Sequence, residues 1–398
     1  MSKLKVFYGL NLSGTAFWRG KLPAKALMRK GLCDIKLMEL LKHSGEEVED
    51  MLLDSDVVFM QSPCGIECTL EYIKLYQLGK ASIADFDDNL FDCHPLNPGY
   101  ATLGLHNVDV TLADGTKEAL WKDEKLGFSI KDNAKRFCSF IDTLLVANTV
   151  TTTTSYLRNE LVESSSKDSN DFRIIPNSID FNLFRPFPKR QNKKLRIGWT
   201  ASDSHLLEGR MVMEIIHELY KRRNDFEFVI LGNMEKLRFV AGDFPIEWHG
   251  FVDLEVYPLK LASLNLDIGI CPLENHSFNK SKSALKWSEY GAMKIPTVCS
   301  NIEPYWCVKD GEDGLMASST QQFVDQICLL MDNEQKRLKM SEAIYERNFE
   351  EFNIDKNCEL WLETFERAYF TEPTRVLTYK DKPLERITKI KEQSEVEV

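Results

Sequence analysis

Residues 267–300 read DIGICPLENHSFNKSKSALKWSEYGAMKIPTVCS, which is an apolar run, a polar loop, a helical stretch and a second apolar run. The apolar runs Leu266 to Cys271 and Thr297 to Ser300 predict strands, and the stretch between them predicts a helix from Lys282 to Ala292. Strand, helix and strand in this order are typical of a parallel sheet with crossover connections. Ligands of such sheets bind beyond the carboxyl ends of the strands, so the segment predicts an α/β layer with a binding site at its polar loop.

The same alternation of strands and helices extends over most of the chain. The proline-rich, basic stretch Phe184 to Lys194 (FRPFPKRQNKK) interrupts it and predicts an interdomain linker. We therefore expect two doubly wound α/β domains, residues 1–185 and 186–350, and then residues 351–398, a helix crossing back to the first domain and a charged, mobile tail from Lys380. The other predicted strands are Leu4 to Tyr8, Val57 to Met60, Ala81 to Phe86, Leu144 to Val146, Thr149 to Thr154, Arg173 to Ile175, Leu195 to Trp199, Phe226 to Leu231 and Ile246 to Trp248, and the other predicted helices begin near Pro23 and cover Glu67 to Leu78, Leu206 to Arg222 and Gln321 to Met331.

The composition is that of a globular protein with enough apolar surface for two cores, since 43% of the 398 residues are hydrophobic and 28% are charged. The formal net charge of −11 disfavours sequence-independent binding to nucleic acid, which depends on clustered Lys and Arg. The start of the chain lacks the apolar stretch of a signal peptide, and no later run reaches the roughly 18 apolar residues of a membrane span. We therefore expect a cytoplasmic protein.

Two lysines and a glutamate in the quoted segment are candidates for chemistry. Lys282 and Ser283 fall at the predicted start of the helix, and Lys286 lies one turn further on. Two cations and the free N–H groups of a helix start would suit a diphosphate, and Glu289 could accept hydrogen bonds from ribose hydroxyls. By spacing alone, a solvated helix face with an ordinary i,i+3 ion pair explains these residues equally well.

The segment resembles the nucleotide-sugar site of glycosyltransferases with the two-domain B-type (GT-B) fold, especially family 4-like members from bacteria and phages. The spaced pattern PL...FN..KS..K..EY.A...P.V.S is matched at Pro272, Leu273, Phe278, Asn279, Lys282, Ser283, Lys286, Glu289, Tyr290, Ala292, Pro296, Val298 and Ser300. The resemblance implies two Rossmann-like domains facing across a cleft, with the donor site mainly in the second.

Further stretches resemble the family in the expected order along the chain. They are a glycine loop from Gly14 to Arg19, an IPNSID segment at 175–180, the stretch from Arg196 to His205, a GFV turn at 250–252 and a DG..GL turn at 310–315. The resemblance implies that Lys282, Lys286, Glu289 and Asp88 are catalytic. It implies that the donor is bound by Gly14, Arg19, Gly198, Ser204, His205, Phe251, Val252, Asn279 and Ser283.

The chain departs from the family at two points. Other family 4 members carry two glutamates eight residues apart, but Ser281 stands where the partner of Glu289 is expected. An Arg and Lys pair is also not clear after Gly198, so Lys282 and Lys286 would have to neutralise the diphosphate.

Two groups of residues could bind a metal ion, and each also has a structural explanation. Asp85-Phe86-Asp87 fits the DxD signature of A-type glycosyltransferases, but the string DFDDNLF also resembles the first domain of the GT-B relatives, and this interpretation is favoured. Asp88 would then lie near the sugar or acceptor, or cap the strand end. Cys64, Cys68 and Cys93-His94 fit no standard zinc spacing, which favours a structural role.

The resemblance implies transfer of a sugar from a UDP- or GDP-sugar to an acceptor hydroxyl, with retained configuration and no obligatory metal. Two alternatives remain open: a binding protein that has lost catalysis, which Ser281 permits, and a phage-type enzyme acting on hydroxymethylated bases of DNA. The second would use a basic patch of Lys21, Lys25, Arg29 and Lys30. A glycan or small-molecule acceptor is favoured by the acidic net charge.

Overall fold

The computed structural model describes residues 3–11, 14–40, 45–111, 115–239 and 241–370, so the predicted tail from Lys380 lies outside the described residues. The chain divides into two compact units. The first comprises the residues up to Pro176 together with those from Cys358, and the second is Asn177–Asn357. The sequence predicts boundaries at 185 and 350, a few residues away from these points.

Hydrogen bonds explain why the residues after Pro176 belong to the second unit. The backbone N–H of Ile179 donates to Phe352 O at 2.7 Å, and the N–H of Ile354 donates to Ile179 O at 2.9 Å. The predicted linker is also held by this unit, because Lys189 Nζ donates to Leu266 O at 2.7 Å. Backbone pairing rather than composition therefore determines where the division falls.

The first unit is built on a six-stranded sheet in the order β2-β1-β3-β4-β7-β8, in which every neighbouring pair is parallel. Its strands are β1 (Lys5–Leu10), β2 (Asp34–Glu39), β3 (Val57–Gln61), β4 (Ala81–Phe86), β7 (Thr149–Thr152) and β8 (Phe172–Ile174). β3 and β4 are buried along their whole length, because helices cover both faces of a parallel sheet. A separate antiparallel hairpin is formed by β5 (Val108–Thr111) and β6 (Lys117–Trp121).

The helices of this unit follow its strands in the expected alternation. They are α1 (Leu22–Arg29), α2 (Gly45–Leu53), α3 (Ile66–Gln77), α4 (Tyr100–Leu103), α5 (Ile130–Val146) and α6 (Ser155–Ser165), and from Cys358 on the unit also contains α13 (Ile354–Phe370). Thr154 caps α6, as predicted, since its hydroxyl accepts from Leu157 N at 3.2 Å.

The predicted strand from Leu144 to Val146 is wrong, because these residues form the last turn of α5. Phe137, Phe140 and Leu144 are buried at helical spacing on one face of that helix. A three-residue apolar run has the same composition in a buried helix turn and in a buried strand, so periodicity over the whole segment decides between them.

The second unit repeats the architecture with a sheet in the order β11-β10-β9-β12-β13-β14, again parallel throughout. Its strands are β9 (Leu195–Ala201), β10 (Phe226–Gly232), β11 (Ile246–His249), β12 (Ile268–Cys271), β13 (Thr297–Ser300) and β14 (Leu315–Ala317). Its helices are α7 (Leu206–Arg222), α8 (Tyr257–Ser263), α9 (Ser277–Ser281), α10 (Leu285–Ala292), α11 (Thr320–Asp332) and α12 (Glu334–Glu351). Strand order reverses between the neighbours β9 and β12, and at such a point the loops after the two strands diverge and leave room for a ligand.

A glycine in β12 allows α10 to approach the sheet closely. A Cβ atom at Gly269 would lie 2.8 Å from Cδ2 of Tyr290, so only hydrogen leaves room for this ring against the strand. The Tyr290 hydroxyl accepts from Thr200 N at 3.0 Å and lies 3.3 Å from Gly198 O, to which it donates. Tyr290 thereby fixes α10 to β9 and β12, the two strands at the reversal point.

Within the described part of the chain, no helix is both long enough and apolar enough to cross a membrane.

Candidate functional site

The two candidate lysines flank the start of α10 in the second unit. The predicted helix ends at Ala292 as expected but begins later, because Lys282 has an extended backbone (φ −64°, ψ 168°) between the end of α9 at Ser281 and the start of α10 at Leu285. His276 caps α9 instead, with its Nδ1 accepting from Phe278 N at 3.1 Å. Both lysine charges still act on the same neighbour, since both lower the pKa of His205.

Lys286 is held by an imidazole from the loop after β9. Its Nζ lies 2.9 Å from Nε2 of His205, and Nδ1 of the same ring lies 3.2 Å from Oε2 of Glu208. Burial lowers the pKa of Lys286 to about 8, although the charge of Glu289 acts in the opposite direction. The ammonium group is therefore charged at neutral pH but close to its titration range.

Glu208 is the buried carboxylate beneath this pair. Its side chain is 1% exposed and accepts from Asn279 Nδ2 at 2.6 Å. Burial raises its pKa, but the hydrogen bonds from His205 and Asn279 and the charge of Lys282 outweigh burial and hold the pKa below its ordinary value. Asn279, predicted to bind the donor, is itself buried and turns its amide nitrogen towards Glu208 and Glu274 O.

Glu289 lies on the buried side of α10, so the alternative of a solvated helix face does not apply to it. It is 7% exposed, and its Oε2 accepts from the hydroxyl of Tyr257 at 2.8 Å. Burial raises the pKa of Glu289 to about 7, while the hydrogen bond from Tyr257 and the charge of Lys286 act in the opposite direction. Its carboxyl group is thus oriented by a tyrosine and close to half protonated at neutral pH.

The remaining predicted donor-binding residues of the second unit lie outside this hydrogen-bonded group. Ser283 accepts from Asn177 Nδ2 at 2.9 Å, and Ser204 lies 2.9 Å from the hydroxyl of Ser202. Phe251 is 61% exposed after β11, with half-buried Val252 beside it. Lys282 Nζ lies 4.5 Å from the centroid of the Phe278 ring.

Gly198, predicted to bind the donor, lies inside β9, where a strand was expected, and is paired with Gly269 of β12. A Cβ atom at Gly198 would lie 2.2 Å from Cδ1 of Leu266. The glycine is therefore required by core packing against Leu266, and the polar loop begins only after Ala201.

In the first unit, Arg19 is buried in an ion pair. Its side chain is 1% exposed, and its NH2 lies 2.6 Å from Oδ1 of Asp85. NH1 donates to Ile175 O at 2.6 Å, and the guanidinium group lies 4.7 Å from the ring centroid of Trp361. These contacts of Arg19 all lie inside the first unit, and its role in binding the donor stays a prediction. Gly14 is exposed, and its carbonyl accepts from Phe17 N at 3.2 Å.

Asp85 is the first residue of the possible DxD metal signature, and both of its carboxylate oxygens lie within 3.2 Å of Arg19 Nε. Thr151 also donates to Oδ1 of this aspartate at 2.6 Å. Among the described residues, no three His, Cys, Asp or Glu side chains group as metal ligands would. Asp88 is half-buried just beyond the carboxyl end of β4.

The basic patch proposed for DNA loses part of its charge to carboxylates. Lys21 Nζ lies 2.9 Å from Glu39, and Lys30 Nζ lies 2.8 Å from Glu359. Such pairs reduce the positive potential on which binding to phosphates depends.

Sequence reasoning missed Glu208 and Tyr257. Glu208 stands three residues after His205, the N-cap of α7, but a histidine at the N-cap is not the Ser or Thr that would make this spacing a helix-start signal. Tyr257 begins α8, and nothing in the local sequence connects it with Glu289, because the contact depends on the sheet order.

Part of the second unit matches a known protein family. Residues 206–333, which contain Glu208, Lys282, Lys286 and Glu289, match the family model described as Glycosyl transferases group 1. The comparisons identify a glycosyltransferase. No curated protein matches the chain.

Solved structures show that this glycosyltransferase has the GT-B fold. A glycosyltransferase from Rickettsia africae ESF-5 is 12% identical, with a TM-score of 0.62 over 94% of this chain and 100% of the other. Anabaena HepE in complex with UDP and glucose is 10% identical, with a TM-score of 0.62 over 91% and 99%. Sucrose-phosphate synthase from Thermosynechococcus elongatus is 12% identical, with a TM-score of 0.61 over 92% and 99%.

Proposed function

We propose that this glycosyltransferase moves a sugar from a nucleoside-diphosphate sugar to an acceptor hydroxyl, with retention of configuration and without an obligatory metal. The observation that carries the proposal is the position of Lys282 and Lys286 around the start of α10. This start lies beside the loops after β9 and β12, at the point where the strand order reverses. Two cations and free N–H groups at such a point suit a diphosphate.

The barrier to transfer comes from charge that develops on the leaving diphosphate and on an oxocarbenium-like sugar. Lys282 and Lys286 would stabilise the diphosphate as the bond to the sugar breaks, and fixed ammonium groups do so without reorganisation of solvent. Glu289, oriented by Tyr257, would accept hydrogen bonds from the ribose hydroxyls. Because these groups supply the positive charge that a divalent ion would otherwise supply, we propose that transfer proceeds in the presence of a chelator.

The donor proposed first is a UDP-sugar, with a GDP-sugar as the second choice. Support for uridine comes from HepE, whose solved structures contain UDP, glucose and UDP-glucose. The proposed acceptor is a glycan or a small molecule with a free hydroxyl group, because the acidic net charge of −11 disfavours a polyphosphate.

The test is a lysine substitution with a neighbouring lysine as the control. Lys282→Ala and Lys286→Ala should each lower both transfer and slow hydrolysis of the donor by about 100-fold or more, because each removes a cation from the leaving group. Lys280→Ala removes a lysine from the same loop and helix pair and should change both rates by less than about threefold.

Equal rates in the Lys286→Ala and wild-type proteins would remove the donor site proposed here. Donor binding by the wild-type protein with neither transfer nor hydrolysis would instead favour the binding protein that Ser281 permits. Ser281 is fully buried, and its hydroxyl donates to Ser277 O at 3.1 Å.

A further inference from the structure

The side chains of Glu208, His205 and Lys286 form a chain of hydrogen-bonded groups in the second unit. Glu208 receives hydrogen bonds from Asn279 Nδ2 at 2.6 Å and from Glu274 N at 3.4 Å, both to Oε1. Its second oxygen, Oε2, lies 3.2 Å from Nδ1 of His205. An ionised carboxylate only accepts hydrogen bonds, so the imidazole nitrogen facing Oε2 must carry a proton.

The contact on the other side of the His205 ring also restricts where its proton can lie. A lysine ammonium group only donates, and Lys286 Nζ lies 2.9 Å from Nε2 of His205. Nε2 must therefore offer a lone pair, which leaves the single ring proton of a neutral imidazole on Nδ1. The two contacts select the same tautomer, and the ring is 12% exposed, so solvent competes little for either nitrogen.

We propose that Glu208 is a positioning residue of the transfer reaction: it fixes His205 as the Nδ1–H tautomer, whose Nε2 holds the Lys286 ammonium group at the donor's diphosphate. This inference rests on the proposed function for the role of Lys286. The tautomer itself depends only on the geometry of the second unit. Glu208 acts through His205 and does not touch the donor.

Charge acts along the same chain. The groups that face Lys286 from the elements packed around it are, besides His205, Glu289, Cys271, Lys282 and Glu208. The negative charge of Glu208 raises the pKa of Lys286, which burial lowers to about 8. Removing that charge should lower the pKa further, so the alkaline limit of activity should move to lower pH.

The first experiment is Glu208→Gln, which keeps the shape of the side chain but has one acceptor oxygen in place of two. Since Asn279 and Glu274 N occupy that oxygen, the new amide nitrogen faces Nδ1, which must then accept. The ring proton moves to Nε2 and points at Lys286. We expect kcat/KM to fall by about 100-fold, as for a misplaced catalytic group. We also expect the alkaline limb of the pH profile to move to lower pH and the ring-nitrogen NMR shifts of His205 to exchange their protonated and unprotonated values.

The second experiment separates positioning from general structural support. In His205→Gln the side-chain oxygen can accept from Lys286 at the place of Nε2, whereas His205→Ala leaves no ring for Glu208 to orient. We expect His205→Gln to retain part of the activity, and Glu208→Gln to have less than about threefold further effect in the His205→Ala background. If the two substitutions were independent structural defects, their fold-losses in kcat/KM would multiply.

The control is Glu214→Gln, which removes a negative charge from an exposed position of α7 and should leave the rate and the His205 shifts unchanged. The proposal is overturned if wild-type His205 carries its proton on Nε2, or if the effects of Glu208→Gln and His205→Ala on kcat/KM multiply. If Glu208→Gln does not fold, the wild-type tautomer and the activity of His205→Gln still decide. A wild-type protein with the Nδ1–H tautomer but no transfer would contradict the proposed function and leave the tautomer assignment standing.

Discussion

At the scale of single residues, the sequence identified which side chains carry charge, and the structure determined what each charge contacts. Lys286 and Glu289 were assigned from their spacing in a helix, and both lie in one buried group of the second unit. Arg19, predicted from the resemblance of residues 14–19 to the family's glycine loop, lies in an ion pair with Asp85. Spacing within a segment cannot predict a partner 66 residues away, because that contact depends on which strands become neighbours.

The buried ion pair between Arg19 and Asp85 should contribute to the stability of the first unit. Arg19→Met should lower the free energy of unfolding by about 3–5 kcal/mol, because it leaves the Asp85 carboxylate buried without its cation, although the Thr151 hydroxyl still donates to it. Urea unfolding followed by circular dichroism measures the loss. Adding Asp85→Asn to Arg19→Met should recover part of it, whereas further loss in the double variant would contradict the pairing.

Glu289 leads to a prediction about pH and stability. Burial raises its pKa from the ordinary value of 4.5 to about 7, so the folded chain binds more protons than the unfolded chain between these values. Stability must then fall as pH rises through this window, by an amount on the order of 1–3 kcal/mol for this group. Glu289→Gln should remove this slope from urea unfolding measured between pH 5 and pH 8. The exposed Glu312→Gln should keep the wild-type slope, and an unchanged slope in Glu289→Gln would contradict the raised pKa.

At the scale of elements, long periodic segments were predicted from sequence and short ones were not. The helix Leu206–Arg222 has the predicted bounds, since its apolar face repeats over several turns. The helix predicted near Lys282 to Ala292 begins only at Leu285, and the short helix α9 before it was not predicted. The Nδ1 cap by His276 is not among the Ser, Thr, Asp and Asn signals by which helix starts are normally found.

The close approach of α10 to the sheet can be tested directly. Gly269→Ala places a methyl group about 2.8 Å from the ring of Tyr290 and should displace the helix that carries Lys286 and Glu289. We expect a loss of about 1–3 kcal/mol in unfolding free energy and weaker binding of the donor nucleotide. Gly250→Ala is the matched control for stability, since a Cβ there has nothing within 4 Å. Wild-type nucleotide affinity in Gly269→Ala would show that the site does not depend on this contact.

At the scale of the whole molecule, the order of strands and helices predicts two Rossmann-like units in tandem, and the resemblance carried by residues 267–300 predicts the GT-B fold. The points where the chain passes between the units were harder to place, because the pairing of Ile179 with the backbone near Asn353 joins residues far apart in sequence. The long-range contacts of Glu208 and Tyr257 escaped prediction for the same reason: a sequence gives the elements, while the sheet order that brings their ends together depends on packing.

Nucleotide binding should stabilise the protein by an amount that depends on pH. UDP at 100 times its Kd should stabilise the native state by about 2.7 kcal/mol, which corresponds to a rise in Tm of roughly 5–10 °C for a unit of this size. Because the pKa of Lys286 is about 8, the ammonium group that would face the diphosphate is largely lost as pH rises from 7 to 8.5. The UDP-dependent rise in Tm should therefore shrink over this interval in the wild-type protein and in Lys280→Ala, and it should be small and independent of pH in Lys286→Ala. A pH-independent rise in the wild-type protein would mean that the diphosphate is held by groups other than Lys286.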